Sequence, residues 1–193
     1  MFITDALSLS HVPRWVVVPM LRTQTVAEHS FNVAMIAQEL MSRNPAITSH
    51  HVDDEMGTAP LVRRENVIWH ALTHDIDECV TGDIPGIAKQ HMRAKRDIPD
   101  LVPDRPSIGV TLPEIQLVKL ADIIESYTYC AKYGLGPHAR DVQIKHLLPV
   151  LEEAINEASR AGLISGGGLG LMNLAFDIVN EKGRLRTFEE YTP

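Results

Sequence analysis

The sequence predicts an all-α fold of five to seven helices, and three observations carry that expectation. Apolar residues recur at spacings of three and four along most of the chain, and helix-starting and helix-stopping residues fall at the ends of those stretches. Strand-like patterning is nearly absent: Trp15-Val-Val-Val18 is the one β-like run, and it ends in Pro19.

Taken in order, Thr4 to Ser10 can form a short opening helix. Thr25-Val-Ala-Glu28 reads as a capping box, with Thr25 as the N-cap and Glu28 at the third helical position. Val33, Ile36, Ala37 and Leu40 form the stripe behind it, with His29 one turn before Val33. That helix is expected to reach about Ser42, since Pro45 stops it. Residues from about Thr48 to Leu61, rich in His, Asp, Gly, Pro and Thr, read as a long surface connection. A second helix is expected from roughly Arg64 to Val80, ended by Thr81-Gly82-Asp83 and Pro85. Asp97 to Pro113 carries Pro99, Pro103, Pro106 and Pro113, so it reads as a proline-rich excursion rather than one helix.

A third helix begins near Pro113-Glu114, where proline suits a first turn, and ends at Gly134. Pro149 either starts a further helix or kinks one begun near Ala139. The stripe Val150, Leu151, Ala154, Ile155, Ala158 carries helix up to Gly162. Ser165-Gly-Gly-Gly-Leu-Gly170 follows no strand and lacks the Lys-Ser/Thr end of a phosphate loop, so it reads as a flexible turn. Leu171 to Lys182 makes a last helix closed by Gly183. With 193 residues, no internal repeat and no long linker, the expectation is one domain over residues 1–193.

Composition narrows the function classes. Hydrophobic residues at 45% and charged residues at 22% exclude disordered and fibrous chains. No apolar run reaches the roughly 18–20 residues of a membrane span, and no signal-peptide pattern opens the chain. Cys79 and Cys130 alone make no disulfide framework, so the expected compartment is a reducing cytosol. A net charge of −7 argues against binding nucleic-acid polymers, which reward basic surfaces. Nine histidines among many acids, with only two cysteines, point to a metal site of nitrogen and oxygen ligands.

His74-Asp75-Ile-Asp77-Glu78 is the informative segment. On one continuous helix, His74, Asp75 and Glu78 project onto a single patch, costly beside Val67, Ala71 and Leu72 without a cation. A His-Asp pair is common by chance, and its context gives it weight. His29 lies on the apolar stripe of the first capped helix. Asp122 lies on the apolar face of the third, after Ile115 and Val118. Singly, each could be a satisfied core histidine or a salt-bridged carboxylate. Together with His74-Asp75 they form a ligand set drawn from three helices.

The order Glu28-His29-Ser, His74-Asp75, Leu-Ala-Asp122 resembles the HD-domain metal-dependent phosphohydrolases, which are helical bundles. Within them, Arg14-Trp15, Arg22-Thr, Glu28-His29-Ser-Phe, Thr81-Gly82-Asp83-Ile-Pro85, Lys89 and Val-Lys119-Leu-Ala-Asp122 are similar to the bacterial 5′-deoxynucleotidases and the phage dATP triphosphohydrolases. The likeness runs from about Arg14 to Gly134. A short interval between His74-Asp75 and Asp122 favours the phage type.

That resemblance implies His29, His74, Asp75 and Asp122 as ligands of a divalent ion, a set suited to Mn, Co, Zn, Fe or Mg. Glu78 is implied as the residue that orients or deprotonates the attacking water; a carboxylate that merely holds a ligand histidine is the alternative. Arg14, Lys89 and Lys119 are the cations for phosphate, although Lys119 also reads as a solvated helix lysine. Trp15 offers a face for a base or a wall against a ribose 2′-hydroxyl. Asp83 either binds the deoxyribose 3′-hydroxyl or caps its own turn, and Arg22 ties down the helix entrance. The implied reaction is hydrolysis of a 2′-deoxynucleotide by metal-activated water at the α-phosphorus. From dATP it releases deoxynucleoside and triphosphate; from a monophosphate, deoxynucleoside and phosphate.

A (p)ppGpp-type pyrophosphohydrolase commonly carries a second acid after the glutamate, where this chain has Cys79. A non-catalytic nucleotide-binding module predicts a broken ligand set, whereas all five residues are present. The resemblance also implies a homo-oligomer.

Overall fold

In the computed structural model, which describes residues 2–48, 62–85 and 109–164, the apolar stripes become helices packed around one main core. Helix α1 (Phe2–Ser8) runs into a 3₁₀ turn, Leu9–His11. Helix α2 (Val26–Arg43) starts at Thr25, whose hydroxyl accepts from the Glu28 amide at 3.2 Å. Only this half of the expected capping box forms, because the Glu28 carboxylate pairs with Arg22. The α2 face made by Val33, Ala34, Ala37, Leu40 and Met41 packs against α3 (Arg64–Thr73) and α5 (Leu112–Tyr133).

The expected helix from Arg64 to Val80 is broken. It stops at Thr73, and after a turn α4 (Glu78–Thr81) begins. Inside the turn the bonds tighten to three-residue spacing, Ile76 N–H to Thr73 O and Glu78 N–H to Asp75 O. The cause is local competition. The His74 ring takes the Ala71 carbonyl through Nδ1 at 2.8 Å, the acceptor that the next helical amide would need. The tighter turn buries Ile76 beside Leu9 and Val26 in a second, smaller core.

Helix α5 is the longest described element. It opens with a reciprocal capping box: Thr111 accepts from the Glu114 amide, and the Glu114 carboxylate accepts from the Thr111 amide, with Pro113 in the first turn. The helix therefore starts slightly earlier than Pro113, and it ends at Gly134 as expected. A Cβ at Gly134 would lie 2.5 Å from the Cys130 carbonyl and 2.8 Å from the Ala139 Cβ, so only glycine fits. Helix α6 (Gly136–Asp141) passes through a π-helical stretch, Val142–Leu147, into α7 (Leu148–Arg160). Pro149 thus neither starts a separate helix nor makes a sharp break. The wider turn before it accommodates the missing N–H and the proline ring. The end of α7 is a Schellman turn, with Gly162 at φ +70° and Leu163 N–H on the Ala158 carbonyl at 2.9 Å.

Trp15-Val-Val-Val18 forms turns rather than a strand. Among the described residues there is no strand, only isolated bridges Pro13–Thr25 and Met20–Gly134. No helix among them is long and apolar enough to cross a membrane. Cys79 and Cys130 are free thiols. The expected connection after Thr48, most of the proline-rich excursion, Lys89, the glycine turn and the last helix lie outside the described residues.

Candidate metal centre

His29 occupies the second turn of α2 and is completely buried. Its Nδ1 lies 2.6 Å from Glu125 Oε2 on α5. An ionised carboxylate only accepts, so Nδ1 carries a proton, and whenever the ring is neutral Nε2 keeps the lone pair. Among the described residues Nε2 has no partner in hydrogen-bonding geometry, yet it lies 3.1 Å from Asp122 Oδ1 and 3.8 Å from Asp75 Oδ2. His74, at the end of α3, repeats the pattern. Its Nδ1 donates to the Ala71 carbonyl, and its buried Nε2 has no hydrogen-bond partner among the described residues while sitting 3.3 Å from Asp75 Oδ2. The two rings are 5.3 Å apart and tilted by 56°.

Buried polar atoms are normally satisfied, so two imidazole nitrogens left without hydrogen bonds and aimed at carboxylates need an explanation. A cation between them supplies one. His29, His74 and Asp75 each offer a ligand atom within 4.8 Å of the others, and Asp122 adjoins the group through His29. This nitrogen–oxygen donor set fits a divalent metal.

Burial and the nearby Arg14 charge oppose protonation of His29, but the interactions with Asp122 and Glu125 outweigh them and hold the imidazole above its ordinary value. Burial would raise the carboxyls of Asp122 and Glu125. His29 reverses that effect at both, and both stay below the usual carboxylate range.

The structure also sorts the other expected site residues. Glu78 is buried at the start of α4, directly after the turn that carries His74 and Asp75. It reaches that place through the break, not through the continuous helical face expected from sequence. Arg14 is bound into the wall of the site: Nη1 lies 3.3 Å from Glu125 Oε2 and 3.5 Å from Gln24 Oε1, and Nη2 lies 3.5 Å from Ser126 Oγ. Trp15 has φ +64°, a strained value for a bulky residue. Its amide donates to Asp83 Oδ2 at 3.1 Å and its indole N–H to Gln24 Oε1 at 2.9 Å, and its ring stacks on Tyr129 at 6.1 Å. Asp83 therefore pins the Trp15 main chain. Lys119 is half-exposed and reaches Glu157 on α7 at 3.1 Å, on the outer side of α5. Arg22 holds the start of α2 through Glu28 and donates to the Tyr129 hydroxyl at 3.2 Å.

Sequence reasoning missed Glu125, Gln24 and Asn32. Glu125 was detectable: Asp122-Ile-Ile-Glu125 puts a second carboxylate three residues on, on the same helical face as a candidate ligand. Gln24 and Asn32 carry no comparable signal, since their roles depend on a partner about a hundred residues away.

The family model of 5′-deoxynucleotidase YfbR-like proteins matches residues 1–102. A dATP triphosphohydrolase of Salmonella phage PMBT28 is 29% identical over 159 residues, covering 79% of this chain and 77% of its own. The 5′-deoxynucleotidase YfbR of Escherichia coli O127:H6 is 30% identical over 143 residues, covering 63% and 67%. The fold is that of the cyanophage S-2L HD phosphohydrolase DatZ, solved bound to dA and one catalytic Zn²⁺ ion. That match has a TM-score of 0.68 at 22% identity over 92% of this chain and 96% of the other. With over half its length matched by the family model, the chain belongs to the 5′-deoxynucleotidase YfbR-like family.

Proposed function

We propose that this protein is a metal-dependent phosphohydrolase of 2′-deoxynucleotides, with dATP as substrate and deoxyadenosine and triphosphate as products. The observation that carries this reading is the pair of buried imidazole Nε2 atoms that make no hydrogen bond among the described residues and face Asp75 and Asp122. His29, His74, Asp75 and Asp122 would hold one divalent ion, of Mn, Co, Zn, Fe or Mg type. When bound, such an ion polarises a phosphoryl oxygen and lowers the pKa of coordinated water.

The chain's own groups do the rest. Glu78 takes a proton from the attacking water as the water oxygen bonds to the α-phosphorus, the bond to the 5′-oxygen breaks, and the proton passes from Glu78 to that leaving oxygen. Arg14 offers its guanidinium edge to the phosphates while Glu125 holds it, and Lys89 adds a second cation. Trp15 walls the sugar, fixed by Asp83 and Gln24. Lys119 is left out of this assignment because Glu157 already engages it. The domain is taken as the whole chain, 1–193, acting in the cytosol as a homo-oligomer. The exposed Val16, Val17 and Leu21 support the last point as apolar surface that a second copy could cover.

The phage dATP triphosphohydrolase aligns with more of this chain than the E. coli enzyme does, which favours the triphosphate substrate. The second reading, a 5′-deoxynucleotidase acting on monophosphates, draws on the family model itself. A nucleotide panel with Mn²⁺ or Co²⁺ separates them. Deoxyadenosine plus intact triphosphate from dATP, with dAMP untouched, is the expected result. Turnover of dAMP, dGMP and dTMP with dATP inert would overturn it.

A further inference from the structure

We propose that Glu125 is a positioning residue that ties the metal ligand His29 and the Arg14–Trp15 segment to one buried carboxylate, with Gln24 as the link between them. The proposal rests on the assignment of His29 as a metal ligand. Glu125 is 2% exposed and accepts from four side chains on three segments. Oε2 takes His29 Nδ1 at 2.6 Å and Arg14 Nη1 at 3.3 Å; Oε1 takes Gln24 Nε2 and, at 3.1 Å, Asn32 Nδ2. An ionised carboxylate has about four acceptor positions, so these donors fill its capacity. The arrangement therefore determines which His29 nitrogen carries the proton and which way the ring faces.

Gln24 extends the network to the substrate side. It is fully buried, and both ends of its amide are in use: the NH₂ on Glu125, the oxygen on the Trp15 indole N–H and on Arg14. Turning the amide over would face donor to donor at Trp15 and acceptor to acceptor at Glu125, so the network permits one orientation. Trp15, already held at positive φ, is thereby set by the same carboxylate that sets the metal ligand. A structural buried glutamate needs only satisfied oxygens. This one spends its acceptor capacity joining two functional elements of the site.

The test is Co²⁺ titration of the full chain without nucleotide, comparing wild type with H29A, E125Q, Q24A and N32A. E125Q should weaken Co²⁺ binding by about 10–100-fold, the usual effect of losing the partner that orients a ligand histidine. N32A, which removes a donor from the other carboxylate oxygen, should stay within about twofold of wild type on the same reasoning. Q24A should keep its Co²⁺ affinity and raise KM for the deoxynucleotide with little change in kcat. Wild-type affinity in E125Q, with binding lost in H29A, overturns the positioning role alone. Wild-type binding in H29A overturns the metal-site reading beneath it. Should E125Q fail to fold, ¹⁵N-histidine spectra of the zinc-loaded wild type decide: a proton on His29 Nδ1 is expected, and a proton on Nε2 refutes the proposal.

Discussion

Replacing Glu114 tests how the start of α5 is anchored. This side chain is 1% exposed and joins two helix beginnings. Oε2 accepts from the Thr111 amide at 2.7 Å and Oε1 from the Arg63 amide at 2.9 Å, while Asn66 Nδ2 reaches both oxygens at 3.2 Å. E114A leaves two helix-terminal amides without their acceptor and leaves the Asn66 amide only the Gly109 carbonyl at 3.5 Å. Hydrogen bonds to a charged group contribute about 1.5–3 kcal/mol each, and water will replace some of them, so a loss of about 3 kcal/mol is expected. In a domain of this size that lowers Tm by roughly 6–12 °C. Burial alone would raise the Glu114 carboxyl, but the amides of Thr111 and Arg63, the Asn66 side chain and the Arg63 charge together hold it below its usual value. The folded state therefore resists its protonation. The stabilisation is complete above the unfolded pKa of about 4.3 and is lost as pH falls through the lower folded value. Thermal melts followed by circular dichroism should show the gap between wild type and E114A wide at neutral pH and closing in acid. A melt of E114A within about 2 °C of wild type at neutral pH would refute the reasoning. A gap unchanged in acid would refute it as well.

Other outcomes follow from the same structure. Leu120 is fully buried in the main core, so L120A should cost about 2–5 kcal/mol in denaturant unfolding. E78A should lower turnover by about 10²–10⁴-fold while Co²⁺ binding is retained, as expected of a lost proton acceptor. Dialysis against a chelator should abolish hydrolysis, and Mn²⁺ or Co²⁺ should restore it. Activity that survives exhaustive chelation would remove the metal from the mechanism.

Much of the fold was legible because its signals are local. Thr25 and Glu28 marked the start of α2, and Gly134 and Gly162 closed α5 and α7 as expected. The break after Thr73 was hidden because apolar spacing continues through it; what ends the helix is the His74 ring competing for the Ala71 carbonyl. The capping box at Thr111 was present in the sequence but masked by the more conspicuous Pro113. Within the site, His29 and Asp122 stood out as polar residues on apolar stripes and His74-Asp75 as an adjacent pair in a charged patch, and the structure brings the four together. The partners that orient them were harder to see. Arg14 reads as a phosphate cation, but nothing local shows that Glu125, 111 residues away, holds it. Lys119 reads as a phosphate cation or a solvated helix lysine, and its exposed ion pair with Glu157, 38 residues away, leaves no local trace in the sequence.

The most direct test of the central claim is anomalous scattering from a crystal of the Co²⁺-loaded protein, collected on both sides of the cobalt edge. The account predicts one peak at coordination distance, about 2.0–2.2 Å, from His29 Nε2 and His74 Nε2, with carboxylate oxygens of Asp75 and Asp122 completing the protein ligands. A peak bound through His29 Nδ1, or cobalt held elsewhere with these two nitrogens unliganded, would contradict it.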